Sequence, residues 1–357
     1  MIPLIVDLET EWRGGQSQML LLLKGLYERG HAAELIAVKG SPLGHRARKE
    51  GIYVHTVRPN LTRLRAALQI RSVLVDGRID LVHVNEAHAL TAAWLAGAHR
   101  RVPVVSSRRI GFPLHKNWIS RARYDSLERF VANSKAVAQS LIDSGFPPDR
   151  ISIVNEGVEI PSLVSAGERQ LARKRWGVAE DEYLIGCASA FVPEKGQRHL
   201  VKALPAVREK FPMARLLLVG EGRCLAEVQQ LAMSLGLGGG VLAPGFVANM
   251  REFYAALDAF AFPSEFEGLG TALQAAMAYA LPVISTTRGA LGEVVQDGRT
   301  AIVAEPSAQA FAAAMLRLIA DPDLQRKLGA AAREEVKNCF SVDLMVDNTL
   351  ALYQQVV

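Results

Sequence analysis

The sequence predicts an α/β protein built from two doubly wound parallel sheets. Three observations carry this. Short runs of aliphatic and β-branched residues alternate with helical segments along the chain, and a glycine pair separates the first such run from the first helix. At 357 residues the chain is also too long for one core, since single cores stop growing near ~250–300 residues.

The elements follow in order. Pro3–Leu8 reads as a strand, Gly14-Gly15 as a loop, Ser17–Arg29 as a helix with Leu20–Leu23 and Leu26 on its buried stripe, and Ala33–Val38 as the next strand. Gly30 ends that helix in the left-handed conformation glycine adopts readily. A short helix (Leu43–Glu50), a strand (Ile52–Val57) and a helix (Leu61–Val75) come next. Asp80–Val84, Val102–Ser106, Arg129–Asn133 and Ile151–Val154 are further strands; helices span Ala87–Gly97 and Ala136–Ser144, the latter capped by Ser134. The turn-rich segment Asn155–Pro161 and the polar stretch to Gly167 read as an interdomain connection. A helix over Glu168–Trp176 precedes a second sheet with strands at Tyr183–Ala188, Ala214–Val219, Gly240–Leu242, Ala259–Phe262, Pro282–Ser285 and Ala301–Val303. The expected domains are 1–162 and 163–341, with the helix at 342–357 packing back on the first.

Composition narrows the class. Half of the residues are hydrophobic and 22% are charged, and no apolar run approaches the ~18 residues a membrane span needs. The opening Met1–Val6 lacks a basic leader and reads as strand, and Cys187, Cys224 and Cys339 have no metal-ligand spacing. A cytosolic protein with reduced thiols is expected. The net charge of +5 is unevenly spread: Lys39–Lys135 holds 18 Lys and Arg against 6 Asp and Glu, so the rest of the chain is net acidic. A basic amino-terminal half suits an anionic partner, such as lipid headgroups at the inner face of the plasma membrane or a phosphorylated acceptor; the alternative is a solvated arginine-rich face. Nucleic acid is not expected, since no binding module is present and aromatics make up only 6% of the chain.

The most informative stretch is Ser264–Ala278, in which Glu267, Gly268, Leu269, Gly270 and Thr271 join an apolar strand to an Ala-, Leu- and Met-rich helix. The carboxyl end of a strand meeting the amino end of a helix is where α/β proteins hold anionic ligands. A carboxylate there repels phosphate and suits hydroxyls; a ligand with both is a nucleotide sugar. The stretch resembles the donor-site signature of the family-4 retaining glycosyltransferases, Glu-Gly-Phe-Gly with a second Glu in Glu-x7-Glu spacing, followed by Ala-Met-Ala. Leu269 stands for Phe, and Ala275 stands where the second Glu belongs. Asn155–Glu159 is similar to the family's interdomain segment, so the resemblance spans essentially the whole chain.

That resemblance implies a GT-B arrangement of two facing Rossmann-like domains, an acceptor-binding one first and a donor-binding one second. It also implies retaining, metal-independent sugar transfer from a UDP- or GDP-linked donor, with no other cofactor, to a saccharide or lipid-linked acceptor in lipopolysaccharide or other cell-surface polysaccharide synthesis. Lys195 would neutralise the departing diphosphate, and Glu267 would grip the donor sugar's hydroxyls. The family's Arg a few residues before this Lys is missing from Ser189-Ala190-Phe191, so Arg108 or Arg109 is the candidate for the compensating cation. Gly14 and Gly15 would admit backbone close to the donor; the Gly268, Leu269 and Gly270 amides would hold its diphosphate, Phe246 and Val247 would meet its nucleobase through their backbone, and Gly220 and Thr271 would also line the donor site. Glu293 matches a further family carboxylate, in a segment lacking the second Gly and the Pro.

Trp12, Glu86 and His88 are candidates for the acceptor side, with a packed loop as the alternative for Trp12. His83 and His88 are more readily packing or backbone-bonding residues than a metal pair. Two rival functions remain. Ala275 and the missing Arg fit a non-catalytic nucleotide-sugar or glycan-binding protein with a degenerate donor site. A dinucleotide oxidoreductase also uses paired α/β domains, but Gly14-Gly15 is not Gly-x-Gly-x-x-Gly and no acidic residue closes a second strand.

Overall fold

The computed structural model describes residues 1–109, 111 and 118–357. Its secondary structure runs β1 (Pro3–Asp7), α1 (Gly14–Glu28), β2 (Glu34–Val38), α2 (Pro42–Lys49), β3 (Tyr53–Val57), α3 (Thr62–Val75), β4 (Leu81–Val84), α4 (Ala87–Leu95), β5 (Val104–Arg108), α5 (Trp118–Asp125), β6 (Arg129–Ala132), α6 (Lys135–Asp143) and β7 (Ile151–Ile153). It continues with α7 (Ala166–Arg175), β8 (Tyr183–Ala188), α8 (Gln197–Lys210), β9 (Ala214–Val219), α9 (Leu225–Ser234), β10 (Val241–Gly245), α10 (Met250–Ala256), β11 (Ala259–Phe262) and α11 (Thr271–Ala278). The chain ends with β12 (Val283–Ser285), β13 (Ile302–Val303), α12 (Ala308–Ile319), α13 (Pro322–Cys339) and α14 (Val342–Val356).

Two compact units result, Met1–Gly157 with Val342–Val357, and Val158–Ser341. The division lies slightly before the 162/163 boundary read from the sequence. Val158 bridges Ser341, and Arg333 donates to the carbonyl of Pro161, so this stretch is already tied into the second unit.

The first unit holds a seven-stranded sheet, ordered β3-β2-β1-β4-β5-β6-β7, and every pairing is parallel. Alternation along the strands sends side chains to opposite faces. Leu4, Val6, Val82 and Val84 meet α3, α4 and α6 on one side, while Ile5, Leu35 and Leu81 meet α1, α2 and α14 on the other. Gly25 explains how α14 comes so close to α1: a Cβ there would lie 2.4 Å from Cγ2 of Val346. Arg29 then fastens the pair, with Nε 2.6 Å from Asp347. The strand order reverses between β1 and β4, and the loops following these strands flank the crevice where open α/β sheets bind ligands.

The second unit has a six-stranded parallel sheet, ordered β10-β9-β8-β11-β12-β13. Ile185, Leu216, Leu218 and Ala261 face α8 and α12; Leu184, Leu217, Phe260 and Phe262 face α10, α11 and α13. Its order reverses between β8 and β11, which places the loops carrying Lys195 and Glu267 on either side of the switch point. Among the described residues, no helix is long and apolar enough to cross a membrane.

One local expectation changes. Gly14 and Gly15 form the first turn of α1 and not a loop ahead of it. The helix starts early because Arg13, in extended backbone, already accepts the amide of Ser17.

Candidate active site

In the second unit, the β8 loop ends in a 3-10 turn (Pro193–Lys195) and lies against the β11 loop that carries Glu267. Lys195 Nζ is 2.5 Å from Glu267 Oε2, with the two side chains 19% and 17% exposed, so the pair sits at a half-buried mouth. Glu267 Oε1 accepts the amide of Gly268 at 3.2 Å.

The two loops are welded together beneath this pair. The amide of Glu265 donates to the carbonyl of Glu194 at 2.7 Å, and the buried Ser264 hydroxyl reaches both that carbonyl and that of Phe266. Gly196 (φ +67) passes so near Pro263 that a Cβ would lie 2.3 Å from its carbonyl oxygen. Glu265 is taken up by His199 Nε2 at 2.9 Å and Arg198 Nη2 at 2.8 Å, and these donors hold its carboxyl below the usual range. Two neighbouring carboxylates therefore divide their work: Glu265 braces the loop and Glu267 faces the mouth.

Gly270, in left-handed backbone at φ +67, starts α11 without any side-chain cap, which leaves the first amides of the helix for an anion. Leu269, a candidate donor contact through its amide, has its side chain in the core at 1% exposure, which leaves its backbone for a ligand. Thr271 is the first residue of α11 and half-buried. Gly220 (φ +136) packs against the carbonyl of Ser189, and its amide donates to Gly245, joining the ends of β8, β9 and β10. Just past that junction Phe246 is exposed, while Val247 rests on the core. Ala275 packs against the core from α11, and its neighbour Gln274 is fully buried with neither amide atom hydrogen-bonded.

Gly289, the first residue of the segment that ends in Glu293 and not itself a candidate site residue, holds Glu267 from behind. At φ +66, its Cβ would fall 2.1 Å from the Glu267 carbonyl oxygen, which also accepts the amide of Ala290 at 3.2 Å. Its signal in the sequence is its place at the head of Gly289-Ala290-Leu291-Gly292-Glu293, where the resembled family segment begins with glycine.

In the first unit, buried Asp7 ends β1 and accepts from Gln16 Nε2 at 2.9 Å and from Asn85 Nδ2. Asn85 in turn accepts from Arg109 Nη1, and Arg109 Nε lies 2.7 Å from Glu156 Oε1. Gln18 fixes the segment bearing Glu156 by exchanging two 3.0 Å bonds with the backbone of Gly157. Arg109 is thus clamped beside Gly15, where a Cβ would lie 3.7 Å from Nη1. A Cβ on Gly14 would meet nothing within 4 Å. Neither glycine is demanded by the chain's own packing, although each weakens a helix turn, so the open space suits a close ligand. Arg108 ends β5 half-buried, and that burial lowers its pKa.

The remaining acceptor candidates have structural duties. Glu86 caps α4, accepting from the amides of Leu8, His88 and Ala89; burial nevertheless raises its pKa to about 7. Trp12 packs against the core, with the Arg46 guanidinium 4.0 Å over its ring. His88 lines an open groove of about 510 Å³ together with Leu8, Leu61, Arg63, Leu64 and Leu95. His83 is not beside it: buried, it bonds Tyr353 and Ser107, and burial and then the Arg109 charge push its pKa down to about 3. Among the described residues, no three His, Cys, Asp or Glu side chains cluster as metal ligands would.

Known proteins align with both units. Residues 12–160 match the family model of Glycosyltransferase Family 4, and 168–335 that of Glycosyl transferases group 1. The chain is 36% identical over 288 residues to a GDP-mannose-dependent alpha-(1-6)-phosphatidylinositol monomannoside mannosyltransferase of Mycobacterium tuberculosis, covering 75% of this chain and 74% of that one. A monoacylated-substrate counterpart from Corynebacterium glutamicum is 30% identical, with the match spanning 54% of its length and 56% of this chain. An N-acetyl-alpha-D-glucosaminyl L-malate synthase of Bacillus anthracis aligns at 29% identity over 94% of this chain and 92% of its own. Among solved structures, a glycosyltransferase from Rickettsia africae superposes with a TM-score of 0.89 at 22% identity, over 99% of this chain and 98% of that one. Anabaena HepE in complex with UDP-glucose superposes with a TM-score of 0.86 at 23% identity, over 99% and 100%.

Proposed function

The chain belongs to glycosyltransferase family 4 and has the two α/β domains of the GT-B fold, and from that premise we propose which residues carry the transfer and what they act on. The second unit holds a nucleotide-sugar donor. Glu267 takes the sugar hydroxyls, while Lys195 and the free amides at the start of α11 take the diphosphate. The observation that carries this reading is the Lys195–Glu267 pair at the switch point of the second sheet, where a cation for phosphate and a carboxylate for hydroxyls share one mouth.

The transfer proceeds with retention and without a metal ion, the fixed cation and helix amides meeting the charge that develops on the leaving diphosphate. Proton transfer from the acceptor hydroxyl to that diphosphate as the new glycosidic bond forms would balance the step without a protein nucleophile. The first unit serves the acceptor side, a saccharide or lipid-linked compound of cell-surface polysaccharide synthesis; its basic character supports an anionic acceptor and a peripheral position at a membrane surface. GDP-mannose is the donor of the Mycobacterium relative, and UDP-glucose is bound in the Anabaena structure. Both nucleotides therefore belong in the donor panel.

The test is calorimetry and slow hydrolysis with UDP- and GDP-linked sugars. One donor should bind and hydrolyse slowly without acceptor, with turnover insensitive to a chelator and the anomeric configuration retained by NMR. Neither binding nor hydrolysis of any donor, with the fold intact, would overturn the assignment.

A further inference from the structure

We propose that the outward face of α3, with the adjoining end of α4, is a docking surface for an anionic lipid bilayer. A helix covering a sheet normally turns one apolar stripe inward and a polar one outward. The inward stripe of α3 is Ala66, Ala67, Ile70, Val73 and Leu74. Its outward side is apolar as well: Leu61, Leu64 and Leu68 are 70%, 53% and 71% exposed at three- and four-residue spacing, and Val75 continues the row. Leu61, just ahead of the helix, also stands in left-handed backbone at φ +54, a conformation unfavourable for a branched side chain.

These leucines form one surface with arginines among them. Leu61, Leu64 and Leu95 wall the groove of about 510 Å³, with Arg63 on its lining. Arg58 and Arg65 flank Leu68 in an adjoining shallow pocket. No Asp or Glu occurs between Gly51 and Val75, so the positive charge is not offset along this segment. Helix α5, packed beside α4, adds exposed Trp118 and Ile119 in the same layer. Exposed leucines with cations interleaved, and an indole nearby, are complementary to a headgroup layer: the leucines enter the acyl boundary while the guanidinium groups stay with lipid phosphates.

This deepens the reading of the first unit as the acceptor side, but its test needs neither donor nor acceptor. The full chain is sedimented with vesicles of phosphatidylcholine, and with vesicles of equal parts phosphatidylcholine and phosphatidylglycerol. It should pellet with the second and be released by added salt. Leu64→Ser with Leu68→Ser should weaken partitioning about tenfold per leucine, and Arg63→Gln with Arg65→Gln about fivefold per charge. Both double variants should keep the parent melting temperature, because Arg63, Leu64 and Leu68 are exposed and Arg65 is partly so. Equal pelleting with and without phosphatidylglycerol would overturn the proposal, as would leucine variants that bind like the parent. A concentration-dependent dimer abolished by the leucine substitutions, without vesicle binding, would assign the face to a second copy instead. Donor hydrolysis by the same variants separates failure here from failure of the transferase reading.

Discussion

Lys195 Nζ and Glu267 Oε2 lie 2.5 Å apart across the switch point of the second sheet, joining the two side chains assigned to phosphate and to sugar. With the donor bound, each would exchange this partner for its ligand group, so the pair keeps both side chains at the mouth beforehand. A partly exposed ion pair contributes roughly 0–1 kcal/mol to stability, whereas a fixed charge at a leaving group is worth about 10²- to 10³-fold in rate. Lys195→Ala and Glu267→Gln should therefore each lower turnover by about two orders of magnitude or more while shifting the melting temperature little. Steady-state kinetics beside a thermal melt check this; parent-like turnover in either variant would remove that residue from the mechanism.

Gly289 offers a test of the loop without touching a charged group. Its φ of +66, and the 2.1 Å that would separate an added Cβ from the Glu267 carbonyl oxygen, mean that Gly289→Ala must displace the Glu267 loop or unwind its own turn. The cost in stability should be about 1–3 kcal/mol, and the rate should fall more than unfolding explains, because Glu267 is moved. A variant with parent kinetics would indicate that the loop position is unimportant to the reaction.

Much of this architecture is legible in the amino-acid order, since parallel strands read as short apolar runs and helices start at glycine (α1, α8, α11) or at a Ser, Asp, Asn or Glu cap (α2, α4, α6, α7, α10, α12, α13). The Lys195–Glu267 contact is less so: seventy-odd residues separate the partners, and only the sheet order brings their loops together. Arg109 shows the same limit. A guanidinium just past a strand end is visible in sequence, but its clamp depends on Asn85 from β4's end and Glu156 from the segment after β7, which meet through topology. For Leu269 the signature names a residue type without saying which of its atoms face the ligand: its side chain fills the core, so the donor contact expected there falls to its backbone.

Glu86 makes stability pH-dependent. Its folded pKa of about 7 lies above the ordinary value of 4.5, with burial as the main cause and the three amides it caps opposing it. The folded state thus binds more protons between these limits, so this group's contribution is present below about pH 4.5 and lost as pH rises through about 7, on the order of 3 kcal/mol in all. Glu86→Gln should flatten the dependence of stability over that window. Denaturant melts at about pH 5 and about pH 8 measure it; an unchanged difference between the two would show that another group governs this range.

Ala275, on α11, is where the donor signature lacks its second carboxylate, and its surroundings determine what a restored carboxylate would meet. The residue lies on α11 against the core, next to Gln274, whose buried amide atoms have no hydrogen-bond partner. A glutamate at 275 should extend toward the helix's open side, since burying its charge among the apolar side chains packed there is costly. If the ribose lies there, Ala275→Glu should tighten donor binding by about tenfold, the worth of one hydrogen bond to a charged group, and the gain should require the ribose hydroxyls. Comparing a ribonucleoside diphosphate with its 2′,3′-dideoxy form by calorimetry isolates that contact. A gain of equal size for both ligands would assign it to some other effect of the new charge, and a loss for both would mean that the side chain cannot leave the core face without disturbing α11.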